Sequence, residues 1–315
     1  MRSIVRQAML LAGALLAACE ADQINRPSRP GAGPLFERGG AGSKGAFTFT
    51  TIDVPGALLT VAYGINARGD VVGTYVDATN HQHGFVRRDD DVTTIDYPNA
   101  AGTEARGISP NGEIVGDYWL LGEPAVNVHG YRLTKHGEFV PVNYPGHTNT
   151  IAQRILPDGT ILGCRHDENM SSTMRGVVIT RSDSVEISAF ASMNNGATPD
   201  HRRIVGLYTN TTAIPARQEG FLIDDGAFTP LVVPGSLSTA AWDMNPSGDI
   251  VGVYRNAAGV HGFALESGGY VSVDVPVATA TRAFGINARG NVVGSYVSNG
   301  QTHAFLTRLT HEDDR

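Results

Sequence analysis

The chain has 315 residues, 38 of them glycine, with 17 % charged residues and a formal net charge of −7. That length suits one large β domain, and the glycine content suits many turns and few helices. The only adjacent basic pairs are Arg87-Arg88 and Arg202-Arg203, so the clustered Lys and Arg that phosphate contacts need are missing, which excludes nucleic acid as a partner.

Arg2 and Arg6 open the chain, and Ala8 to Ala18 is an apolar run of eleven residues, too short to span a bilayer. The run ends in Leu16-Ala17-Ala18-Cys19, which resembles the lipobox of bacterial lipoproteins. The resemblance implies a signal peptide over 1–18 and a diacylated Cys19 as the first mature residue. Two acyl chains anchor stably, so a membrane is the partner implied for Cys19. Glu20 follows, where the family's inner-membrane retention pattern has Asp; the outer membrane or cell surface is the expected location. Losing Arg2 and Arg6 takes the net charge from −7 to −9. Residues 19–45 read as a flexible tether, because "R-P-S-R-P-G-A-G-P" and "R-G-G-A-G-S-K-G" lack hydrophobic periodicity. With Cys19 acylated, Cys164 has no intramolecular disulfide partner. It reads as a small strand residue rather than a nucleophile, since no local His or Asn signature accompanies it.

From residue 46 to 309 the sequence repeats six times. The glycine of a Val-Val-Gly slot falls at Gly73, Gly116, Gly163, Gly206, Gly252 and Gly294, spaced 43, 47, 43, 46 and 42 residues apart. A period near 44 with several short strands per unit predicts an all-β, six-bladed β-propeller built from four-stranded antiparallel blades. In the first repeat the strands run Phe49 to Val54, Thr60 to Asn66, Val71 to Val76 and His83 to Arg87. The first stops at Pro55, and the Pro slot recurs at Pro98, Pro145, Pro234 and Pro276, with Phe190 in repeat four. The second carries Thr60, Ala62 and Gly64 two residues apart, which places small side chains on one face and makes this the innermost strand. Turns such as Asn66-Ala67-Arg68-Gly69 and Ser109-Pro110-Asn111-Gly112 have type I chemistry with a left-handed glycine. The last repeat lacks an outer strand of its own, so Phe47 to Val54 is expected to supply it, a one-plus-three closure that leaves no open edge. Residues 310–315 read as a charged, disordered tail.

The "G-I-N-A-R-G-D-V-V-G-T-Y" and "H-G-F" segments resemble the HAF-type extracellular repeat of bacteria. The match is tight in repeats one, five and six and weaker in three and four. It implies export and a propeller-like fold, and it brings no catalytic residue with it.

Two sets of residues bear on chemistry. His83, His129, His261 and His303 share a slot, filled by Arg175 and Glu219 in the other two repeats. Each His falls on a different blade, too far from the others to share a metal ion, so no metal site is assigned. The expected partner is the Asp of the Asp-Val-Pro slot (Asp53, Asp96, Asp274) within the same blade. The slot between Ala and Gly of the inner strand varies: Tyr63, Arg106, Gln153, Trp242 and Phe284. With the nearby Glu104, Arg154, Asp243 and Arg282 it forms the candidate ligand-binding set. Aromatic faces mixed with Arg, Gln and acids suit a carbohydrate, a wall fragment or an envelope protein, although the same residues could simply fill the gaps between blades. The sequence has no G-x-S-x-G, P-loop or dinucleotide fingerprint, so no cofactor or catalytic residue is assigned. The expected function is a binding or interaction module at the cell envelope. A metal-dependent, lactonase-like propeller hydrolase and a structural assembly partner are the alternatives.

Overall fold

A computed structural model describes residues 47–309 apart from 125–126, 148, 168–172, 188–189 and 268. The signal, Cys19, the tether and the tail lie outside the described residues. Every regular element described in full is a strand, and the fold is all-β. A short edge strand, β1 (Thr50–Thr51), comes first. Five four-strand units follow. The first holds β2 (Leu59–Ile65), β3 (Val71–Val76), β4 (Gln82–Arg88) and β5 (Asp91–Ile95); the second β6 (Ala100–Ile108), β7 (Ile114–Leu120), β8 (His129–Leu133) and β9 (Phe139–Val142). The third holds β10 (Asn149–Ile155), β11 (Ile161–His166), β12 (Arg175–Ile179) and β13 (Ser184–Glu186); the fourth β14 (Ser192–Ala197), β15 (Arg203–Asn210), β16 (Arg217–Asp224) and β17 (Ala227–Leu231). The fifth holds β18 (Ser238–Met244), β19 (Ile250–Asn256), β20 (Gly259–Glu266) and β21 (Gly269–Val273). Three strands then remain: β22 (Ala280–Ile286), β23 (Asn291–Ser298) and β24 (Gln301–Arg308). They gain β1, which pairs antiparallel with β24 through Thr50–Leu306 and Thr51–Phe305.

Within each unit neighbouring strands pair antiparallel in chain order. The first strands of successive units touch one another, and the first strand of the last unit touches β2. Apolar burial follows the same circuit. One cluster fills each seam between units, including the seam where Ile52, Val54 and Ala62 meet Val293 and Ala304. A separate cluster gathers residues from five of the first strands at the centre.

The repeated residues explain why each unit forms. Asn66 Oδ1 accepts the backbone N–H groups of Arg68, Gly69 and Asp70, closing the β2–β3 turn, while Gly69 sits at φ +98°. The Nδ2 groups have a role that the sequence reading did not assign. Asn287 Nδ2 donates to Asn66 O and Asn66 Nδ2 to Ser109 O, so these turns also tie unit to unit. The Thr slot is a hook: Thr60, Thr103, Thr150, Thr239 and Thr281 each accept, at 2.9–3.1 Å, the N–H of the residue six positions earlier. That bond holds the loop entering each first strand. The glycine of the Val-Val-Gly slot is required because a Cβ on Gly163 would overlap the carbonyl oxygen of Ile151 across the sheet.

One expectation is corrected. Thr60, Ala62 and Gly64 do not share a face, because a β-bulge lies between Ala62 and Gly64. Ala62 packs in the seam with the last unit, whereas Gly64 abuts the first strand of the second unit. The side chains that reach the centre come instead from the alternate positions, Val61 and Tyr63.

Gly163→Ala should destabilise the fold by on the order of 3 kcal/mol, since the overlap is with backbone that cannot yield. Urea unfolding monitored by circular dichroism checks this; an unchanged midpoint would refute it.

Candidate functional site

The bulge recurs in all six first strands, between Ala62 and Gly64, Ala105 and Gly107, Ala152 and Arg154, Asn194 and Gly196, Ala241 and Asp243, and Ala283 and Gly285. The extra residues are Tyr63, Arg106, Gln153, Asn195, Trp242 and Phe284, all buried. A bulged residue leaves the ladder, bends its strand and re-aims its side chain. Five of the six are the variable slot read from sequence. Asn195 escaped that reading because the turn of repeat four is one residue longer: Asn195 precedes its Val-Gly glycine by eleven residues, where the others precede theirs by ten.

Bulging also takes backbone carbonyls out of the ladder, and Arg154 collects four of them. Its Nη1 donates to Tyr63 O at 3.3 Å and Arg106 O at 3.0 Å, and its Nη2 to Trp242 O at 3.4 Å and Phe284 O at 2.9 Å. Nη2 also pairs with Asp243 Oδ2 at 3.2 Å. Asp243 in turn accepts the N–H groups of Met244 and Ile286, the latter from the last unit. Burial pushes the Asp243 carboxyl up, and the Arg154 charge opposes that shift. Asn195 Nδ2 donates to Ala241 O at 2.8 Å. One guanidinium thus links the third unit to the first, second, fifth and sixth.

Beside this plug lies an apolar layer. Tyr63 and Phe284 have ring centroids 5.3 Å apart, and Trp242 meets Phe284 edge-on at 4.8 Å. Val61, Val128, Ile151, Cys164, Met174, Met193, Leu207, Ala240 and Val253 complete the buried cluster. Burial pushes the Cys164 thiol up to about 12, so it stays protonated and unreactive.

The second unit puts charge into the same layer. Arg106 pairs with Glu104 and Asp117, its Nη1 donates to Gln153 Oε1 at 3.3 Å, and it lies 5.2 Å over the Tyr63 ring. Glu104 accepts from Gln82 Nε2, and its carbonyl accepts the Tyr131 hydroxyl at 2.9 Å. Two buried carboxyls share one guanidinium. Burial raises the Glu104 carboxyl to about 7; Arg106 pulls it down and Asp117 pushes it up. Burial, then Glu104, also pushes the Tyr63 phenol up.

Of the nine candidate residues, Tyr63, Glu104, Arg106, Gln153, Arg154, Trp242, Asp243 and Phe284 are buried, and Arg282 is half-buried. All but Arg282 fall into two connected groups. Glu104, Arg106, Gln153 and Tyr63 make one; Arg154 and Asp243, with the carbonyls of Trp242 and Phe284, make the other. Among the described residues no three His, Cys, Asp or Glu side chains gather as a metal site. The guanidinium of Arg154 already occupies the carbonyl oxygens that a central cation would use.

The slot histidines pair as the repeat predicts. His83 Nδ1 meets Asp96 at 2.7 Å, His261 Nδ1 meets Asp274 at 2.9 Å, and His303 Nδ1 meets Asp53 at 2.6 Å. His129 turns to Glu123 at 2.7 Å, because Asn143 stands in its Asp slot. Each is backed by the Tyr slot ring of Tyr75, Tyr118, Tyr254 or Tyr296.

No family model matches the sequence, and no curated protein matches it. Solved structures do resemble the fold. The putative TolB from Agrobacterium tumefaciens is 13 % identical with a TM-score of 0.55, over 85 % of this chain and 100 % of that one. The β-propeller domain of the trilobed protease from Pyrococcus furiosus is 8 % identical with a TM-score of 0.51, over 80 % and 96 %. TolB from Acinetobacter baumannii is 13 % identical with a TM-score of 0.48, over 80 % of this chain; the chain spans 55 % of its length. At such identities the likeness defines the fold, and the class it defines is that of propeller-like all-β proteins.

Arg154→Met should cost about 3–5 kcal/mol, because it strips buried Asp243 of its counter-charge and four carbonyls of their guanidinium donor. Denaturant unfolding measures this; a loss below about 1 kcal/mol would show that the plug is dispensable. Glu104 makes stability depend on pH. Its folded value of about 7 lies above the ordinary carboxylate value of 4.5. The stability it contributes is therefore complete below 4.5 and lost as pH rises through 7. Melting temperatures between pH 4.5 and 8 should fall more steeply for the wild type than for Glu104→Gln; parallel curves would refute this.

Proposed function

We propose that the chain is an exported, lipid-anchored, six-bladed β-propeller that serves as a binding module at the bacterial cell envelope. Six HAF-like repeats, six seam clusters and the β1–β24 pairing support the blade count and the one-plus-three closure. The Leu16-Ala17-Ala18-Cys19 segment supports the anchor, 1–18 as signal and 19–45 as tether. The ligand class open to it is a carbohydrate, a wall fragment or an envelope protein.

The observation that carries the reading is the contrast between the centre and one end. The centre is packed and plugged. The loops that enter each first strand lie at the same end as the loops that leave each second strand, as the bonds from Leu58 N to Val76 O and from Leu237 N to Arg255 O require. On those loops stand Leu58, Leu121, Ile214, Leu237 and Val277, five of the seven large apolar side chains exposed among the described residues. We take this end, with one exposed apolar side chain on each of five units, as the docking surface. Binding there needs no opening of the ring. The hydrolase alternative needs convergent oxygen ligands on the axis, where Arg154 stands instead.

The test has two parts. Labelled palmitate should enter the wild type and not Cys19→Ala, and the variant should leave the membrane fraction. The purified full chain in maltoside micelles should bind wall fragments or glycans on an array. Leu58→Ser combined with Leu237→Ser should weaken that binding about tenfold or more, without sensitivity to a chelator. Equal binding by the double variant would move the site away from this end, and loss of binding with chelator would restore the metal-dependent alternative.

A further inference from the structure

Arg282 differs from the other guanidiniums at the centre. Arg106 has Glu104 and Asp117, and Arg154 has Asp243. Arg282 lies opposite Ser295, in the register position that places Val61, Ile151, Met193 and Ala240 in the central cluster of the other units. It is half-buried, and among the described residues it makes no hydrogen bond and no ion pair. Burial lowers its pKa, and the Tyr63 phenol is the one group that acts against this. A half-buried guanidinium without a protein partner keeps its donors open to a ligand.

A second oddity stands on the loop leading into the same strand. Four of the other units have Gly56, Asn99, Gly146 and Gly235 after the turn proline, at φ +78°, +61°, +78° and +76°. Here the residue is Val277, at φ +60° and 95 % exposed. A β-branched residue in the left-handed region is strained, and its exposure gives no packing in return. In the neighbouring unit the matching loop exposes Leu237, whose N–H donates to Arg255 O at 2.7 Å. Arg255 is exposed near the end of β19, likewise without a hydrogen bond or ion pair from its side chain among the described residues. β19 packs against β22, the strand of Arg282.

We propose that this sector, between the fifth and sixth units, is a site for a small organic carboxylate with an apolar body. The carboxylate meets the Arg282 guanidinium, with Arg255 at the rim, and the body lies against Leu237 and Val277. The inference rests on the binding-module reading and names the ligand class of its docking end. A guanidinium fork matches a carboxylate bidentately.

The experiment titrates the full chain in maltoside micelles with N-acetylleucine, with its neutral amide N-acetylleucinamide and with inorganic phosphate, by calorimetry at pH 7 and fixed ionic strength. The acid should bind about tenfold or more tightly than the amide and the phosphate. Arg282→Gln should lose about tenfold in affinity for the acid, and Arg255→Gln about threefold. Arg282→Gln should melt at or above the wild type, because it removes an unpaired cation. Val277→Gly should raise the melting temperature while weakening the acid. Arg289→Gln, an exposed charge at the opposite end, should change nothing. Equal binding of acid and amide, unchanged affinity in Arg282→Gln, or no saturable binding of the acid at about 10 mM would overturn the proposal. Phosphate binding as tightly as the acid would overturn its apolar half. If the acid fails while the array signal still depends on Leu58 and Leu237, the binding-module reading stands without this site.

Discussion

The fold depends on how carbonyls freed by six bulges are satisfied in the buried centre. Each bulge bends a first strand toward the centre, and each leaves backbone acceptors facing inward. Arg154 supplies four donor contacts to them from a single planar group, and Asp243 balances its charge. A lysine could not span that many acceptors, because its charge is a point and its donors share one atom. The centre is accordingly cross-linked by a side chain that belongs to one repeat.

Around that plug the contacts are periodic. Thr hooks fix the entering loops, His–acid pairs close the edges of units, and Asn amides join turn to turn. Each bond is modest alone, near 1 kcal/mol, but each recurs with the period of the sequence. This leaves variation for the places the scaffold does not use: the bulge slot, and the loops at one end.

The periodic part was legible in the sequence. The spacing of Val-Val-Gly gave the units, the missing last strand gave the β1–β24 pairing, and Asp-Val-Pro gave the partners of His83, His261 and His303. The bulge was not legible as such. Counting by two from Thr60 to Gly64 crosses it, so the face assigned to the centre is the wrong one, while the variable slot is the bulged position itself. Arg154 stood out as a long side chain in a slot where Gly64, Gly107 and Gly285 are small. Its reach to four other units depends on the curvature of the circuit, which no local pattern encodes. Asn195 was hidden by one extra residue in a turn. Arg282 was visible as a residue but not as an unpaired charge, because pairing is a property of neighbours far away in sequence.

The β1 strand carries a mechanical consequence. It contributes two paired residues and the Ile52 N–H to Ala304 O bond, and the chain that precedes it enters at Phe47, beside Phe49 and Phe305. Any pull on the segment upstream of Phe47 therefore loads this short seam before any other, with the Asp53–His303 pair next in line. A pull there peels the latch first, and the other twenty-three strands of the described residues feel the force only after it has given way.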